Sequence, residues 1–519
     1  MTMKRSDFIR LMSVGSLALP SVMKGMKVQP VMQQLFTTSV NAQDRVLVLI
    51  RLNGGNDGLN TLVPIDQYGH LALQRPNVVL PEASLLKITD TLAFHPAMTG
   101  MEYLYQTGRV GIVQNVGYPE QNRSHFRSMD IWSTGMMDAG ATTGWLGRYF
   151  DANYPGFPSA YPNADQPDPF AITMGYEVSS TCQGLMANFS HAITDPFESY
   201  NLDPAGIVND GTYYGSHMEF LATLIDQTNA YGEQIYNSAN AGNTLSNLYD
   251  PNNELAVQLR YIAQMISGGL KTKVYIVNIN GFDTHDSQVT ETDTTAGEHA
   301  TLLKTLSDAI RAFMDDIRLL GLEDRVAGMT FSEFGRQIAS NYSLGTDHGD
   351  AAPLFLFGNC LNNTVLGNNP IIPDQITEQA GLPMAIDFRD VYASMLKDWF
   401  EVDVNQIQSF FEHQVTFYPL MGNCNRGTVN ENGNPVVLVY PNPCAQYATI
   451  RFDCETEWVR VELLDLNARL IQVLIDGNLS SGMHNVPVEL ERLAVGEYIV
   501  RVRKESGTLS TKMVRVKAI

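Results

Sequence analysis

The sequence predicts a doubly wound, mostly parallel α/β domain followed by a small antiparallel, immunoglobulin-like β-sandwich. Three observations support this division. Continuous apolar runs rich in β-branched residues end in polar loops between residues 45 and 335, which is typical of buried parallel strands. A helical apolar pattern separates the last two of these runs. Beyond residue 436, apolar and polar residues alternate, as they do in the strands of a sandwich.

The N-terminal segment, residues 1–42, is predicted to be a signal peptide and leader. Lys4 and Arg5 precede an apolar stretch that runs from Leu11 to Met23. This stretch is too short to cross a membrane, and no other segment of the sequence is long and apolar enough. The basic start resembles a twin-arginine export signal with a lysine in the first position. The sequence therefore predicts export but leaves the route open, and a buried N-terminal helix is the alternative.

Four strands are predicted in the large domain, which we assign to residues 43–422. They cover residues 45–52, 110–116, 274–280 and 326–331, and a helix over residues 301–320 connects the last two. A strand, a helix and a second strand in this order indicate a parallel sheet with helices on both faces. Residues 150–250 are rich in Tyr, Asn, Gly and Pro and show weak periodicity. We interpret them as an insertion or cap that contains some helix.

Polar side chains follow the predicted strands, and in a doubly wound sheet these strand ends meet at one edge. Carboxylates and imidazoles gathered there are suitable ligands for a divalent cation. A single Asp-x-His sequence is usually ordinary surface, but several such residues after apolar strands favour a site. The sequence predicts a metal site, with Zn, Ca, Mg or Mn as the candidate ions, formed by Asp57, Asp283, His285, Glu333 and His348.

Ser124 and His125 are the catalytic candidates. Ser124 precedes a predicted helix, where serine is an ordinary N-cap residue. The same position lies at the positive end of the helix dipole, which favours a nucleophilic oxygen and an anionic substrate. A nearby metal would make the hydroxyl more acidic. The sequence leaves cap and nucleophile as open alternatives.

Composition and missing motifs exclude several classes of protein. The formal net charge of -21 opposes binding to nucleic acids and anionic lipids. The sequence contains no P-loop, no H-E-x-x-H zinc motif and no G-x-S-x-G nucleophile elbow. None of the five cysteines forms a C-x-x-C pair, and pairing of Cys444 with Cys454 is left open.

Residues from about 44 to 420 resemble domain-of-unknown-function family 1501. The motifs that carry the resemblance are LIRLNGGNDGLNTLVP, NRSHFRSMDIWSTG, GFDTHDSQ, MTFSEFGRQ, TDHGDAAPLFLFG and DFRDVYASML. The family is similar to the alkaline phosphatase and sulfatase superfamily. The resemblance implies an alkaline phosphatase-like fold and metal-dependent hydrolysis of phosphate or sulfate esters, with Ser124 as the nucleophile. Phe334 stands where that superfamily has a paired histidine, and no cysteine lies near Ser124 to supply a sulfatase-type aldehyde.

The C-terminal segment, residues 436–519, resembles a type IX secretion sorting domain of type A and follows a predicted linker at 423–435. The resemblance rests on Tyr440-Pro441-Asn442-Pro443, on the segment WVRVELLDLNARLIQVL, and on the strand that begins at Gly496. It implies recognition by the type IX secretion machinery and a secreted or cell-surface location. An adhesive sandwich is the alternative.

Two functions remain open from the sequence. The first is a secreted metal-dependent hydrolase that acts on an anionic phosphate or sulfate ester. The second is a catalytically degenerate surface-binding protein that keeps the fold, which the phenylalanine at position 334 favours. The presence of Asp283, His285, Glu333 and His348 favours the hydrolase.

Overall fold

The computed structural model describes residues 44–198, 202–203, 210–362, 365–422, 437–440, 444, 447–466, 468–480, 482–490 and 493–515. The predicted leader and the predicted linker lie outside the described residues, so both remain predictions.

Within these ranges the large domain alternates strands and helices. Its strands are β1 (Val46–Asn53), β2 (Leu62–Pro64), β3 (Leu86–Lys87), β4 (Leu92–Phe94), β5 (Val110–Gly117), β6 (Ala171–Met174), β7 (Ser190–Ile193), β8 (Val274–Asn280), β9 (Val326–Phe331), β10 (Ala352–Gly358), β11 (Val365–Leu366) and β12 (Ile386–Asp387). Its α-helices are α1 (Gly58–Thr61), α2 (Tyr68–Gln74), α3 (Thr99–Gln106), α4 (His125–Thr134), α5 (Trp145–Asn153), α6 (Tyr213–Ala241), α7 (Glu254–Ser267), α8 (Glu298–Leu319), α9 (Phe388–Asp398) and α10 (Val404–Gln408). Short 3₁₀ turns cover Ile65–Gln67, Glu82–Ser84 and Ser180–Cys182.

The large sheet is mostly parallel, as the sequence predicts. Among the described residues its strands follow the order β11-β5-β10-β9-β1-β8-β6-β7, and β12 also pairs with β5. The first predicted strand, β1, lies at the centre between β8 and β9 and is parallel to both. Only β10 runs antiparallel to its neighbours β5 and β9 in this part of the chain. The carboxyl ends of β1, β5, β8 and β9 therefore share one edge with the start of β10.

Both faces of this sheet are covered, which explains why its strands are apolar throughout. Leu47 and Leu49 of β1 contribute to one buried core, and Val48 and Ile50 contribute to the core on the opposite face. Helix α8, which the sequence predicts over residues 301–320, packs on the second face through its apolar stripe. This arrangement fixes the positions of the strand ends.

The segment predicted as an insertion, residues 150–250, contributes directly to the large sheet. Strands β6 and β7 pair parallel with each other, and β6 pairs with β8. Helix α6, with 29 residues, follows them and buries few of its side chains. The two strands have only four residues each, which is too short for a clear period-two pattern.

The C-terminal residues form two antiparallel sheets around one apolar core. The first contains β13 (Leu438–Tyr440), β14 (Tyr447–Cys454) and β17 (Gly482–Glu489); the second contains β15 (Glu457–Leu464), β16 (Leu470–Leu479), β18 (Gly496–Lys504) and β19 (Gly507–Arg515). The predicted alternation is confirmed, because Val459, Val461 and Leu463 are buried in this core.

A buried ion pair joins this sandwich to the large domain. The guanidinium of Arg451 on β14 lies 2.6 Å from Oδ2 of Asp324 and 3.3 Å from Oε2 of Glu323. Arg109 contacts the other oxygen of Glu323 at 3.0 Å. The two acidic residues immediately precede β9, so the sandwich contacts the end of the large domain opposite the carboxyl edge of the sheet.

Three cysteines are buried free thiols, at positions 182, 444 and 454, whereas Cys360 forms a disulfide. Cys444 and Cys454 are therefore not paired with each other. No helix in the described part of the chain has the length and apolar character needed to cross a membrane.

Candidate metal centre

Three loops bring four ionisable side chains together at the carboxyl edge of the large sheet. His125 is the first residue of α4 and follows β5. Asp283 follows β8, and Glu333 follows β9. His348 precedes β10, and because β10 is antiparallel, its start lies at the same edge. The predicted convergence of polar loops is therefore a property of the sheet topology.

His125, Asp283 and His348 form the tightest cluster. Nε2 of His348 lies 3.0 Å from Oδ1 of Asp283, and Nε2 of His125 lies 3.4 Å from Oδ2. One ligand atom from each residue lies within 4.8 Å of the other two. Oδ1 of Asp283 thus faces Nε2 of His348 and Oδ2 faces Nε2 of His125, so the three side chains surround one position.

Hydrogen bonds at the other ring nitrogen fix which nitrogen of each histidine carries the proton. Nδ1 of His348 lies 2.8 Å from the carbonyl oxygen of Arg123, and Nδ1 of His125 lies 3.0 Å from Oε1 of Glu333. Both partners are acceptors, so each Nδ1 is the donor, and Nε2 is the nitrogen that faces Asp283. Metal-binding histidines are held by their second nitrogen in this way.

Nε2 of His348 therefore faces the charged carboxylate of Asp283 either with a second ring proton, which it donates to Oδ1, or with a lone pair. Burial lowers the pKa of His348, despite the opposing effect of its hydrogen bond to Asp283. Burial alone would raise the pKa of Asp283, but hydrogen bonds from Arg336 and His348, with the charges of Arg336 and His285, lower it to about 2. A cation between the two residues would satisfy both, so the three side chains fit a divalent ion.

Arg336 joins the loops of the site to one another. It is 2% exposed, and its guanidinium donates to the backbone oxygens of Gly54, Gly55 at 2.7 Å and Phe282 at 2.9 Å. Nη2 of Arg336 also lies 2.7 Å from Oδ1 of Asp283. The planar guanidinium therefore fixes the loops after β1 and β8 and the orientation of the Asp283 carboxylate.

Glu333 is fully buried and lies behind His125. Its Oε1 accepts hydrogen bonds from His125 and, at 2.8 Å, from the backbone N–H of Gly54. Its backbone oxygen accepts from the Ser128 hydroxyl on α4 and from Gln121. Glu333 therefore orients His125. Its Oε1 is occupied by these two hydrogen bonds and does not face the position between His125, Asp283 and His348.

His285 lies beside the cluster. Its Nδ1 is 2.8 Å from Oδ1 of Asp283 and 3.4 Å from Nη1 of Arg336. Its ring centroid lies 4.5 Å from that of His348, and its side chain is 45% exposed. Arg336 can only donate, so Nδ1 of His285 accepts in its contact with Arg336, and the ring packs beside the proposed ligand Asp283.

Asp57, a predicted metal ligand, lies in a separate buried network. Both carboxylate oxygens are bound by Arg75, at 3.1 and 2.9 Å, and Gln288 donates to Oδ2 at 2.6 Å. Asp57 also accepts from the N–H of Leu59 as the N-cap of α1. Burial would raise the pKa of Asp57, but the charges of Arg75 and His299 together with the hydrogen bonds from Arg75 and Gln288 outweigh burial and lower the pKa. We therefore leave Asp57 out of the site.

Ser124 is the N-cap residue of α4, but its side chain makes no cap hydrogen bond. Its backbone N–H donates to Oδ1 of Asn122 at 2.9 Å, and the residue is exposed. Its hydroxyl is thus not used for capping, although it is next to His125 in the chain. The N-cap interpretation holds for the backbone of Ser124 and not for its hydroxyl.

Phe334 closes one side of the cluster. Its ring is buried, and its centroid lies 5.0 Å from that of His125 and 4.5 Å from that of His348. A Cβ on Gly55 would approach the same ring to 2.4 Å, so the loop after β1 fits closely over it. With Asp57 bound to Arg75, the described residues offer one cluster with metal-ligand geometry at this edge.

Two supports of the site are not among the predicted ligands and catalytic residues. Arg336 follows Glu333 by three residues in the loop after β9. Its place in this polar loop is the sequence feature that could have identified it as part of the site. The carbonyl of Arg123 has no sequence signal, because any residue supplies a carbonyl. His125 was predicted to be catalytic and lies among the candidate ligands.

The fold and the cluster define an α/β protein with a His-Asp-His site at the carboxyl edge of its sheet and a separate antiparallel β domain at its C-terminus. Residues 208–411 match the family described as "Protein of unknown function (DUF1501)", and residues 438–517 match the "Secretion system C-terminal sorting domain". Both resemblances drawn from the sequence motifs are confirmed. The type IX sorting domain makes this an exported protein with a secreted or outer-surface location, and implies contact with the secretion machinery.

Solved structures of low sequence identity are also similar. A protein in the alkaline phosphatase superfamily from Vibrio parahaemolyticus is 10% identical, with a TM-score of 0.33, over 92% of this chain and 83% of that chain. PsFucS1 sulfatase from Pseudoalteromonas sp. is 9% identical, with a TM-score of 0.33, over 89% and 87%. PorZ of the type-IX secretion system of Porphyromonas gingivalis is 21% identical, with a TM-score of 0.13, over 16% of this chain and 11% of that chain. No curated protein matches.

Proposed function

We propose that the protein is an exported hydrolase of phosphate or sulfate esters that uses one divalent cation. The observation that carries this proposal is the pairing of the two imidazole Nε2 atoms with the two carboxylate oxygens of Asp283, at 3.0 and 3.4 Å. Both rings are held at Nδ1 by acceptors. Three protein ligands leave further coordination positions for water or substrate, as in catalytic sites.

The proposed ligands are His125, Asp283 and His348. Two imidazoles and one carboxylate suit zinc, manganese or iron(II) better than calcium or magnesium, which prefer oxygen ligands. His285 and Glu333, which the sequence predicts as ligands, support Asp283 and His125 respectively in this proposal. A bound divalent ion would supply Lewis-acid polarisation of the ester oxygen and make a nearby hydroxyl more acidic.

The charges of the site favour an anionic substrate once a dication is bound. Asp283 and Glu333 carry negative charge, and Arg336 carries positive charge, so these protein groups sum to one negative charge. A dication makes the sum positive. The N-terminus of α4 adds N–H groups that its cap side chain leaves unbound, and such helix ends attract phosphate and sulfate.

Ser124 is the proposed nucleophile. Its hydroxyl is exposed, has no cap hydrogen bond and adjoins the ligand His125. The serine oxygen would bond to phosphorus or sulfur while the alcohol of the ester leaves. Water would then release the phosphate or sulfate and restore the serine hydroxyl.

A second function is a surface protein that binds its ligand without catalysis. The specific observation in its favour is Phe334, whose buried ring lies against both histidines. That ring leaves no room on its side for further ligands. A metal-binding protein without hydrolytic activity would fit this arrangement.

Metal analysis with an ester assay tests the proposal. We expect purified protein to bind close to one zinc or manganese ion and to hydrolyse 4-nitrophenyl phosphate or 4-nitrophenyl sulfate. His348→Ala should abolish both properties, and the exposed His217→Ala should change neither. Binding without hydrolysis in the wild type would support the second function. Absence of metal binding would overturn both.

A further inference from the structure

A groove lies beside the candidate metal centre on the side of Arg123. Its volume is about 640 Å³, which is within the range of sites for small organic ligands. We name it the Arg123 groove, and the lining residues that matter here are Glu120, Gln121, Arg123, Asp350, Gln379 and Met384.

The groove is joined to the metal centre by the main chain. The carbonyl oxygen of Arg123 accepts from Nδ1 of His348, and Ser124 is the next residue. Asp350 follows His348 by two residues on the other wall. A ligand in the groove would therefore lie next to an ester held between Ser124 and the proposed cation.

Arg123 and Asp350 in the groove neutralise each other. Nε and Nη2 of Arg123 each lie 2.8 Å from an oxygen of Asp350, and Nη1 of Arg123 donates to the backbone oxygen of Gln379 at 2.9 Å. The exposed carboxylate of Glu120 adds one negative charge. An anionic group would thus be repelled from the groove, and the charged part of a substrate belongs over the metal centre.

The walls combine apolar and polar surface. Pro383 and Met384 offer apolar atoms, and Met384 is 36% exposed. On the other wall, the Arg123–Asp350 pair presents donors and acceptors side by side. Sugars present C–H faces and adjacent hydroxyl groups, so they match both walls. A plain aromatic group would leave the polar atoms without partners.

We propose that the Arg123 groove binds an uncharged sugar whose phosphate or sulfate ester lies over the metal centre. The proposal rests on the proposed hydrolase function and names the class of its substrate. It assigns the groove to the leaving group and the cation site to the ester.

The experiment compares esters that differ only in the alcohol. The probes are methyl phosphate and methyl sulfate, against the 6-phosphates and 6-sulfates of glucose, galactose and mannose. We expect at least one hexose ester to have a KM about tenfold lower than its methyl ester. Met384→Ala and Gln379→Ala should raise that KM about fivefold with kcat little changed, and should leave the methyl ester unaffected. Met186→Ala, an exposed methionine outside the groove, is the matched control.

Equal KM values for the hexose and methyl esters, or equal effects of the variants on both, would overturn the sugar proposal and leave the hydrolase intact. If no ester is hydrolysed, saturation-transfer NMR with the methyl glycosides of the same hexoses decides separately. Signals that weaken in Met384→Ala and not in Met186→Ala would support the groove although the hydrolase fails. No signal in the wild type would overturn the groove.

Discussion

Nε2 of His348 lies 3.0 Å from Oδ1 of Asp283, and the other nitrogen of the same ring donates to the backbone of Arg123. Because Nδ1 is the donor to Arg123, the contact between Nε2 and the carboxylate requires either a second ring proton or a cation between them. This relationship connects the loops after β5 and β8 with the loop before β10. It also makes the metal centre the most testable feature of the molecule.

Glu333→Gln should weaken metal binding without unfolding the protein. Glu333 is fully buried and holds Nδ1 of His125 at 3.0 Å. A neutral amide of the same shape is a weaker acceptor, so we expect the metal Kd to rise roughly 10–100-fold. Titration with zinc measures the change. The exposed Glu291→Gln is the matched control, and equal zinc affinity in both variants would contradict the orienting role.

Ser124→Ala should separate catalysis from stability. An N-cap serine usually stabilises its helix by about 1 kcal/mol, but the Ser124 side chain makes no cap bond. We expect the free energy of unfolding to change by less than about 0.5 kcal/mol and kcat to fall by roughly a thousandfold or more.

Asn253→Ala provides the comparison for Ser124→Ala, because Asn253 caps α7 through the N–H of Ala256. That variant should lose about 1 kcal/mol of stability in urea unfolding and keep its activity. Retained hydrolysis in Ser124→Ala would exclude the serine as nucleophile.

Asp57→Asn should destabilise the fold and leave the metal content unchanged. The substitution breaks a buried, bidentate ion pair with Arg75, which typically costs about 3–5 kcal/mol. The pKa of Asp57 is lowered in the folded protein, so its contribution is fully present above the unfolded-state pKa near 4 and declines at lower pH. Urea unfolding at pH 7 and pH 3 measures both effects. Asp90→Asn, at an exposed site, should change neither. Loss of metal from Asp57→Asn would return Asp57 to the site.

Arg451→Ala should release the sandwich from the large domain. Its guanidinium is buried against Glu323 and Asp324, and removal would leave two acidic groups at the contact with Arg109 as the remaining cation. We expect calorimetry to show a separate, lower-temperature transition for the sandwich. The exposed Arg503→Ala on β18 should behave as the wild type. An unchanged thermogram in Arg451→Ala would contradict this docking contact.

The strands and their shared edge follow from local patterns in the sequence. A run such as Val46–Asn53 is apolar on both faces because the sheet is covered on both, and this can be read residue by residue. The sorting domain can be predicted equally well, because its alternating apolar and polar residues and its motifs are continuous in the chain. The short strands β6 and β7 were not predicted, because four residues carry too little pattern.

The residues that form the metal centre could be predicted only in part from the sequence. Asp283 and His348 were predicted as ligands and lie in the proposed triad, whereas His125 was predicted as catalytic. Asp57 and Glu333 have the right chemistry and the right place in the chain. Arg75, which does not lie in one of the loops that form the sheet edge, binds Asp57. Glu333 lies behind His125 and orients that ring.

The sequence by itself determined an exported α/β chain with a C-terminal sorting domain and a polar sheet edge, because periodicity, strand ends and motifs are local properties. Only the tertiary structure decided which side chains meet there. His125 and Asp283 are more than 150 positions apart, and their contact depends on strand order, on the antiparallel direction of β10 and on the Arg336 guanidinium. No local sequence pattern predicts a contact between residues so far apart in the chain, so the site can be identified only in the tertiary structure.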